Sequence, residues 1–444
     1  MNSLQLKASN PAVSTWVSAS AGTGKTKILT DRVLRLLLGG AAFDKILCLT
    51  FTNAAAGEMK ERIAFALSLW SSASVTELEA ELYKTMGRKA SLNELSKAQQ
   101  LYGLYLKSSE RINIQTIHSF CQKLLKKFPI EAGISPSFKI IDEAKSHSIL
   151  QQIKKNLLHQ SDLEPINEYL TMNFHELTID EILGEIVQYR TKFLDNPHIV
   201  NNLYDESLKI ISALQRNYDN NYDSVIYHPM LQDIMGVNMS VAQIKKFFLT
   251  TTGQKKKRIV PKKIAALGSN LYSDLERLQQ QVFQLDQADR SRQLEAHSKL
   301  LSMLGDNILK NYEIYKTTKG LVDYDDLIIY ANKLLKSSEA KEWVLYKLDG
   351  GIDHLLVDEA QDTSSTQWQI VEAMIEEFYA GDAANSEKNR TVFVVGDEKQ
   401  SIFSFQGADV SSFARMNKLL KSKMTAGGRK FEDINLEISY RSAK

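Results

Sequence analysis

The 444-residue chain sets 55 Lys and Arg against 53 Asp and Glu; a net charge of +2 neither demands nor excludes a nucleic-acid partner, so any basic footprint is local. An apolar content of 43% beside 24% charge is that of an ordinary globular protein, and the length points to two or three domains. Two distant cysteines, Cys48 and Cys121, exclude a disulfide framework and a cysteine metal site, and no signal peptide or membrane-length apolar run is present, so a cytoplasmic protein is expected.

In chain order, the first chemistry-bearing stretch is a strand, a Gly-rich turn and a helix start. Thr15, Trp16 and Val17 are β-prone, and residues 27–38 place apolar side chains at helical spacing before Gly39 and Gly40. Between them lie Ala19, Ser20, Ala21, Gly22, Thr23, Gly24, Lys25 and Thr26, a phosphate-loop pattern with alanine at its usual first glycine. Gly22 and Gly24 let backbone N–H groups turn toward phosphate oxygens. Lys25 is placed to bridge the β- and γ-phosphates and Thr26 to ligate magnesium, at a helix N-terminus that favours anions. Upstream, the amide of Gln5 both donates and accepts, which suits it to an adenine edge.

Residues 45–53 form a continuous apolar run that ends in Thr50, Thr52 and Asn53, as a buried parallel strand would on reaching a ligand edge. The plainer alternative is a strand end with Asn53 as helix N-cap. Residues 64–110 are helical and charged, with no chemistry of their own. Residues 113–121 repeat the design of strand, polar end and helix. There His118 is either a phosphate or base contact or a satisfied buried imidazole.

Residues 143–320 change texture to long helical stretches rich in Lys, Glu, Gln and Leu, read as a helical domain inserted into an α/β domain that occupies 1–142 and 321–444. No acid interrupts residues 234–273, which hold Lys245, Lys246, Lys255, Lys256, Lys257, Arg258, Lys262 and Lys263. Such a run is either a solvated loop or a DNA phosphate contact. The α/β texture resumes with the helix start at Asp323–Asp326. A buried run from His354 then enters Asp358 and Glu359, which suit magnesium binding and polarisation of an attacking water. A last run, 391–395, leads to Gln400, placed to sense the γ-phosphate, and to alternating Phe403 and Phe405, one of which can stack on a base. The residues from Leu436 read as a strand leading to Arg441, a phosphate-charge stabiliser.

Together these stretches resemble the motifs of the UvrD/Rep-type superfamily of DNA helicases, in order and over essentially the whole chain: 19–26 (motif I), 50–59 (Ia), 116–120 (Ib), 358–362 (II), 395–408 (III) and 439–442 (IV). The wording around Trp16–Thr26 and Ser404–Asp409 is most similar to the AddA branch, helicase–nuclease subunits of bacterial double-strand-break repair, with RecB the neighbouring branch. The resemblance implies a RecA-like P-loop domain that uses ATP and Mg2+. It implies Gln5 and Arg32 at the adenine, Gln400 and Arg441 at the γ-phosphate, and Thr52, Asn53, His118 and Phe405 along single-stranded DNA. It also implies 3'–5' translocation, duplex and single-stranded DNA as partners, and a second nuclease–helicase subunit (AddB-like). Two residues depart from the pattern, Ala54 where lysine is frequent and Gln406 where arginine precedes Gly407; the latter suits the AddA branch. Motifs V and VI, the second RecA-like domain and the nuclease domain have no counterpart in the 444 residues. The expectation is therefore ATP binding with weak hydrolysis by this polypeptide alone, against the alternative of a non-catalytic ATP- or DNA-binding module that acts with a partner chain. A generic P-loop kinase or GTPase is disfavoured, since no guanine-reading motif is present.

Overall fold

The apolar runs that end in polar residues become strands, because both faces of a parallel sheet must be covered and their side chains are apolar on both. The computed structural model describes the chain except residues 1–2, 21, 108–111, 158–159, 174–175, 189, 191–202, 217–221, 230, 233–239, 260–268, 337–343, 345–346, 348–351, 381–388, 401–409 and 439–444. Its strands are β1 (Ser14–Ala19), β2 (Ile46–Thr50), β3 (Asn113–Thr116), β4 (Lys139–Ile140), β5 (Leu321–Val322), β6 (His354–Val357), β7 (Thr391–Gly396) and β8 (Phe431–Leu436). Six of them form one sheet in the order β3-β2-β6-β7-β1-β8, every pairing parallel. Alternate residues feed two cores. Leu47, Leu49, Leu355, Val357, Val392 and Val394 face one, with Trp16 stacked on Trp368 at 6.1 Å and tilted onto Phe413 at 4.6 Å. Ile46, Cys48, Leu356, Phe393 and Val395 face the other, against Ile28, Val33 and Met59. This is the expected α/β class, a parallel sheet with helices on both faces. Both cysteines are buried and free, and burial pushes their thiols up, as reduced core residues require.

The chain divides into two units, Met1–Ile141 with Gly320–Lys444, and Asp142–Lys319. In the first unit, β4 and β5 pair in parallel, with Lys139 N–H donating to Gly320 O at 2.9 Å and Ile141 N–H to Val322 O at 2.9 Å. The helical stretch is thus an excursion that leaves and rejoins the unit at adjacent points. The 64–110 stretch folds as three helices, Asn53–Ser72, Val75–Met86 and Leu92–Lys107, whose buried Leu67, Trp70, Leu82 and Ala98 join the second core. The second unit is helical and includes one 51-residue helix, Ser269–Lys319. A core of Tyr222, Ile244, Phe248, Leu275, Leu278 and Val282 packs along the early part of that helix. No helix among the described residues is long and apolar enough to cross a membrane.

Candidate active site at the carboxyl edge of the sheet

All six parallel strands point the same way, so the residues after each one gather along one edge, where open α/β sheets bind ligands. After β1 the chain turns sharply. Gly22 and Gly24 take left-handed backbones (φ 78° and 87°), and Gly24 precedes the helix Lys25–Gly39 as its cap. Inside the turn, Thr23 Oγ1 donates to Ser20 O at 2.8 Å. Gln5 is buried, and its Nε2 donates to Thr23 O at 3.0 Å, which ties the amino-terminal helix to the glycine turn. A β-carbon on Gly24 would sit 3.3 Å from that amide nitrogen. Ala19 closes β1 in the core, Thr26 is half-buried in the helix's first turn, and Ala21 lies outside the described residues.

The deciding contact joins positions 334 residues apart: Lys25 Nζ lies 2.8 Å from Glu359 Oε2, with the two side chains 10% and 35% exposed. Among the described residues Glu359 is the only non-glycine with a left-handed backbone (φ 47°), a conformation that costs an L-residue about 1–2 kcal/mol. The same carboxylate oxygen accepts from Gln361 Nε2 at 2.7 Å. Asp358 is buried at the end of β6 and accepts from Glu359 N–H at 3.0 Å. Burial, with Glu359 beside it, pushes its carboxyl up to about 6, and the same two causes push Asp362 up to about 6. Three carboxylates thus crowd one ammonium. On the neighbouring strand, Asp397 N–H donates to Gln361 Oε1 at 2.9 Å, and Gln400 Nε2 donates to Asp397 Oδ2.

Arg32, expected at the adenine, is fully buried, with its Nη atoms donating to Asn10 O at 2.6 Å and Val13 O at 2.7 Å and its guanidinium 4.9 Å from the Phe393 ring centroid. Its helix faces the core at that turn, so the guanidinium satisfies carbonyls of the segment between Gln5 and β1. Burial pushes its pKa down to about 9, which leaves it charged at neutral pH. The cap of the helix Asn53–Ser72 is Thr52 rather than Asn53. Thr52 Oγ1 accepts from Ala55 N–H at 3.1 Å, and Asn53 is the first helical residue, exposed at the strand's end. Thr116 caps the helix Ile117–Lys127 in the same way. His118 is half-buried, its imidazole pushed down by burial, and the ring of Tyr324 meets it edge-on at 6.0 Å. Tyr324 is 55% exposed, an aromatic that is inconspicuous in the sequence because it sits within an acidic helix start. Phe405 and Arg441 lie outside the described residues.

In the helical unit, Lys255, Lys256, Lys257 and Arg258 follow a tight reversal. Leu249 bridges Lys255 antiparallel, Gly253 turns at φ 79°, and buried Gln279 donates to Phe248 O and Lys256 O at 2.9 and 3.0 Å. Lys255, Lys257 and Arg258 are exposed.

Known proteins bear directly on this arrangement. A family model described as the UvrD/REP helicase N-terminal domain matches residues 1–421. The chain belongs to the UvrD/REP helicase family. Curated relatives, each named as the A subunit of an ATP-dependent helicase/nuclease, are 25% identical in Staphylococcus carnosus and Pediococcus pentosaceus and 26% in Listeria monocytogenes, over 96% of this chain in every case. The chain spans 36–37% of the length of those relatives. The UvrD/REP match takes in both units, including the helical excursion from Asp142 to Lys319.

Proposed function

We propose that the chain is the ATP-binding portion of a DNA helicase of the AddA branch, which translocates 3'–5' on single-stranded DNA in double-strand-break repair, together with an AddB-like subunit. The observation that carries this reading is the Lys25–Glu359 pair at the edge where the glycine turn, Asp358–Glu359 and Asp397–Gln400 converge. An ammonium held against a carboxylate in excess negative charge is a group prepared to exchange its partner for phosphate oxygens.

In this reading the N–H groups of the 20–26 turn and Lys25 hold the phosphates, and Gln5 orients the turn from behind. Mg2+ fits the donor set. Asp358 is buried and its carboxylate accepts one hydrogen bond among the described residues, a hard group whose charge a cation would compensate, and Thr26 supplies a hydroxyl. When bound, the ion neutralises phosphate charge. Glu359, freed from Lys25, polarises the attacking water, and Gln400 and Arg441 meet the γ-phosphate. Thr52, Asn53, His118 and Phe405 line the single strand, to which Tyr324 adds a stacking face beside His118. Lys255–Arg258 meet duplex phosphates as sequence-independent contacts.

ATP turnover by the 444-residue chain, measured without DNA, with single-stranded DNA and with duplex, tests this. The expected turnover is faster with single strands than without DNA, and abolished in Lys25→Ala. Turnover indifferent to DNA, or retained in Lys25→Ala, contradicts the reading. Lysine-dependent ATP binding with no turnover favours the non-catalytic module.

A further inference from the structure

We infer that Gln361 is the positioning residue through which the occupancy of Lys25 is felt at the end of the neighbouring strand; this rests on the nucleotide reading of the Lys25 site. The primary amide bridges two strand ends with both of its functional atoms. Nε2 donates to Glu359 Oε2 at 2.7 Å, the same oxygen that pairs with Lys25 at 2.8 Å, and to Asp362 Oδ2 at 3.1 Å. Oε1 accepts the backbone N–H of Asp397 at 2.9 Å. Asp397 in turn organises the turn that follows: its Oδ1 accepts from Lys399 N–H at 3.1 Å and its Oδ2 from Gln400 Nε2.

The bridge is enclosed. Gln361 is 2% exposed, so water does not compete for it. Residue 396 has to be glycine for the amide to reach Asp397, since a β-carbon there would lie 2.8 Å from Gln361 Oε1 and 2.7 Å from Phe413 Cε2. The left-handed backbone of Glu359 begins the short turn Ala360–Asp362, which carries Gln361 back beneath the Glu359 carboxylate. A buried amide with its donor and acceptor both in use polarises as a unit: a stronger acceptor at Nε2 places more negative charge on Oε1.

The consequence is directional. While Lys25 neutralises Glu359, that carboxylate draws weakly on the Gln361 amide. When Lys25 turns to a phosphate, Gln361 Nε2 is the side-chain donor that stays on Glu359 Oε2, the carboxylate draws on it more strongly, and the Asp397 N–H···Oε1 bond tightens. The turn that bears Gln400 is thereby fixed in register with the nucleotide.

Amide-resolved hydrogen exchange at Asp397 tests this in the 444-residue chain, with the magnesium complex of a non-hydrolysable ATP analogue as probe. In wild type the analogue slows exchange at Asp397 by about threefold or more. Nucleotide-free Lys25→Ala shows that slowing without ligand, because the removed ammonium frees Glu359 in the same way. Gln361→Glu keeps an oxygen for Asp397 N–H but loses the donor to Glu359; it binds the analogue and shows no slowing. Gln361→Met removes both arms, and the Asp397 amide exchanges faster with or without analogue. Lysine-dependent analogue binding with no change at Asp397, or a change that survives Gln361→Glu, overturns the inference and leaves the nucleotide site standing. Absence of lysine-dependent binding overturns both.

Discussion

Each unit contains a lysine set between carboxylates that the sequence keeps far apart, and the two arrangements differ in charge balance. In the helical unit, Lys245 Nζ lies 2.7 Å from Asp286 and 3.5 Å from Asp289, and Arg290 and Arg292 reach the same two acids at 2.7 and 2.6 Å. Three cations serve two carboxylates that are 4–5% exposed, and although burial opposes it, Lys245 and Arg290 hold Asp286 below the usual carboxylate range. In the sheet unit the balance is reversed: Lys25 pairs with Glu359, Asp358 and Asp362 lie within reach of the same charges, and these two acids are pushed up to about 6. A buried cluster with its charge met is a structural tie. A cluster with surplus negative charge and a strained glutamate is incomplete until a cation and a phosphate enter.

The largest expected effect separates the two lysines. Lys245→Ala removes the ammonium shared by two buried carboxylates, each of which keeps one arginine, and should lower unfolding free energy by about 3 kcal/mol through the lost charged hydrogen bonds. Lys25→Ala leaves a more exposed glutamate that water can reach, and should cost less than about 1 kcal/mol. Urea unfolding of both variants reads the difference; equal destabilisation would erase the distinction between tie and site.

Next is the pH dependence of Asp358. Its folded carboxyl titrates near 6 and its unfolded one near 3.8, so the folded state holds a proton that the unfolded state releases. The stability contributed by that proton is complete below about 4 and lost as pH rises through about 6, a decline on the order of 3 kcal/mol. Relative to wild type, Asp358→Asn should therefore gain stability between pH 4 and 7. A difference that is flat with pH removes the surplus-charge argument. Magnesium affinity of the wild type should rise over the same interval, because the metal takes the carboxylate.

The smallest effect is on the basic reversal. Lys255 and Lys257 are exposed on a turn fixed by Gln279, so replacing both with alanine should change stability by less than about 0.5 kcal/mol. The logarithmic salt slope of duplex binding should fall by about 0.9 for each phosphate that the variant no longer neutralises. An unchanged slope would make the run a solvated surface.

Much of the sheet was legible because buried parallel strands are continuous apolar runs and ligand edges begin where those runs turn polar. Thr50, Asp358 and Gly396 each mark such a point. The glycine turn was legible for a local reason, since only left-handed backbones fit between β1 and its helix. What stayed hidden depends on distance. Arg32 comes to attention only through the family resemblance, and only the fold shows the carbonyls of Asn10 and Val13 that its guanidinium meets. Gln361 reads as one polar residue in an acidic run, and its role lies in a strand that follows it by 30 residues or more. Thr52 and Asn53 compete for one cap, a choice made by a single hydroxyl contact at 3.1 Å.

Equilibrium binding of Mg–ATP to the 444-residue chain, beside Lys25→Ala and Glu359→Gln, tests the central claim most directly. If the carboxyl edge of the sheet is the nucleotide site, Lys25→Ala weakens binding by about tenfold or more, because its charged hydrogen bonds to phosphate are gone. Glu359→Gln binds at least as tightly as wild type, because the lysine no longer has to leave a carboxylate. Equal affinity in Lys25→Ala and wild type would contradict the account.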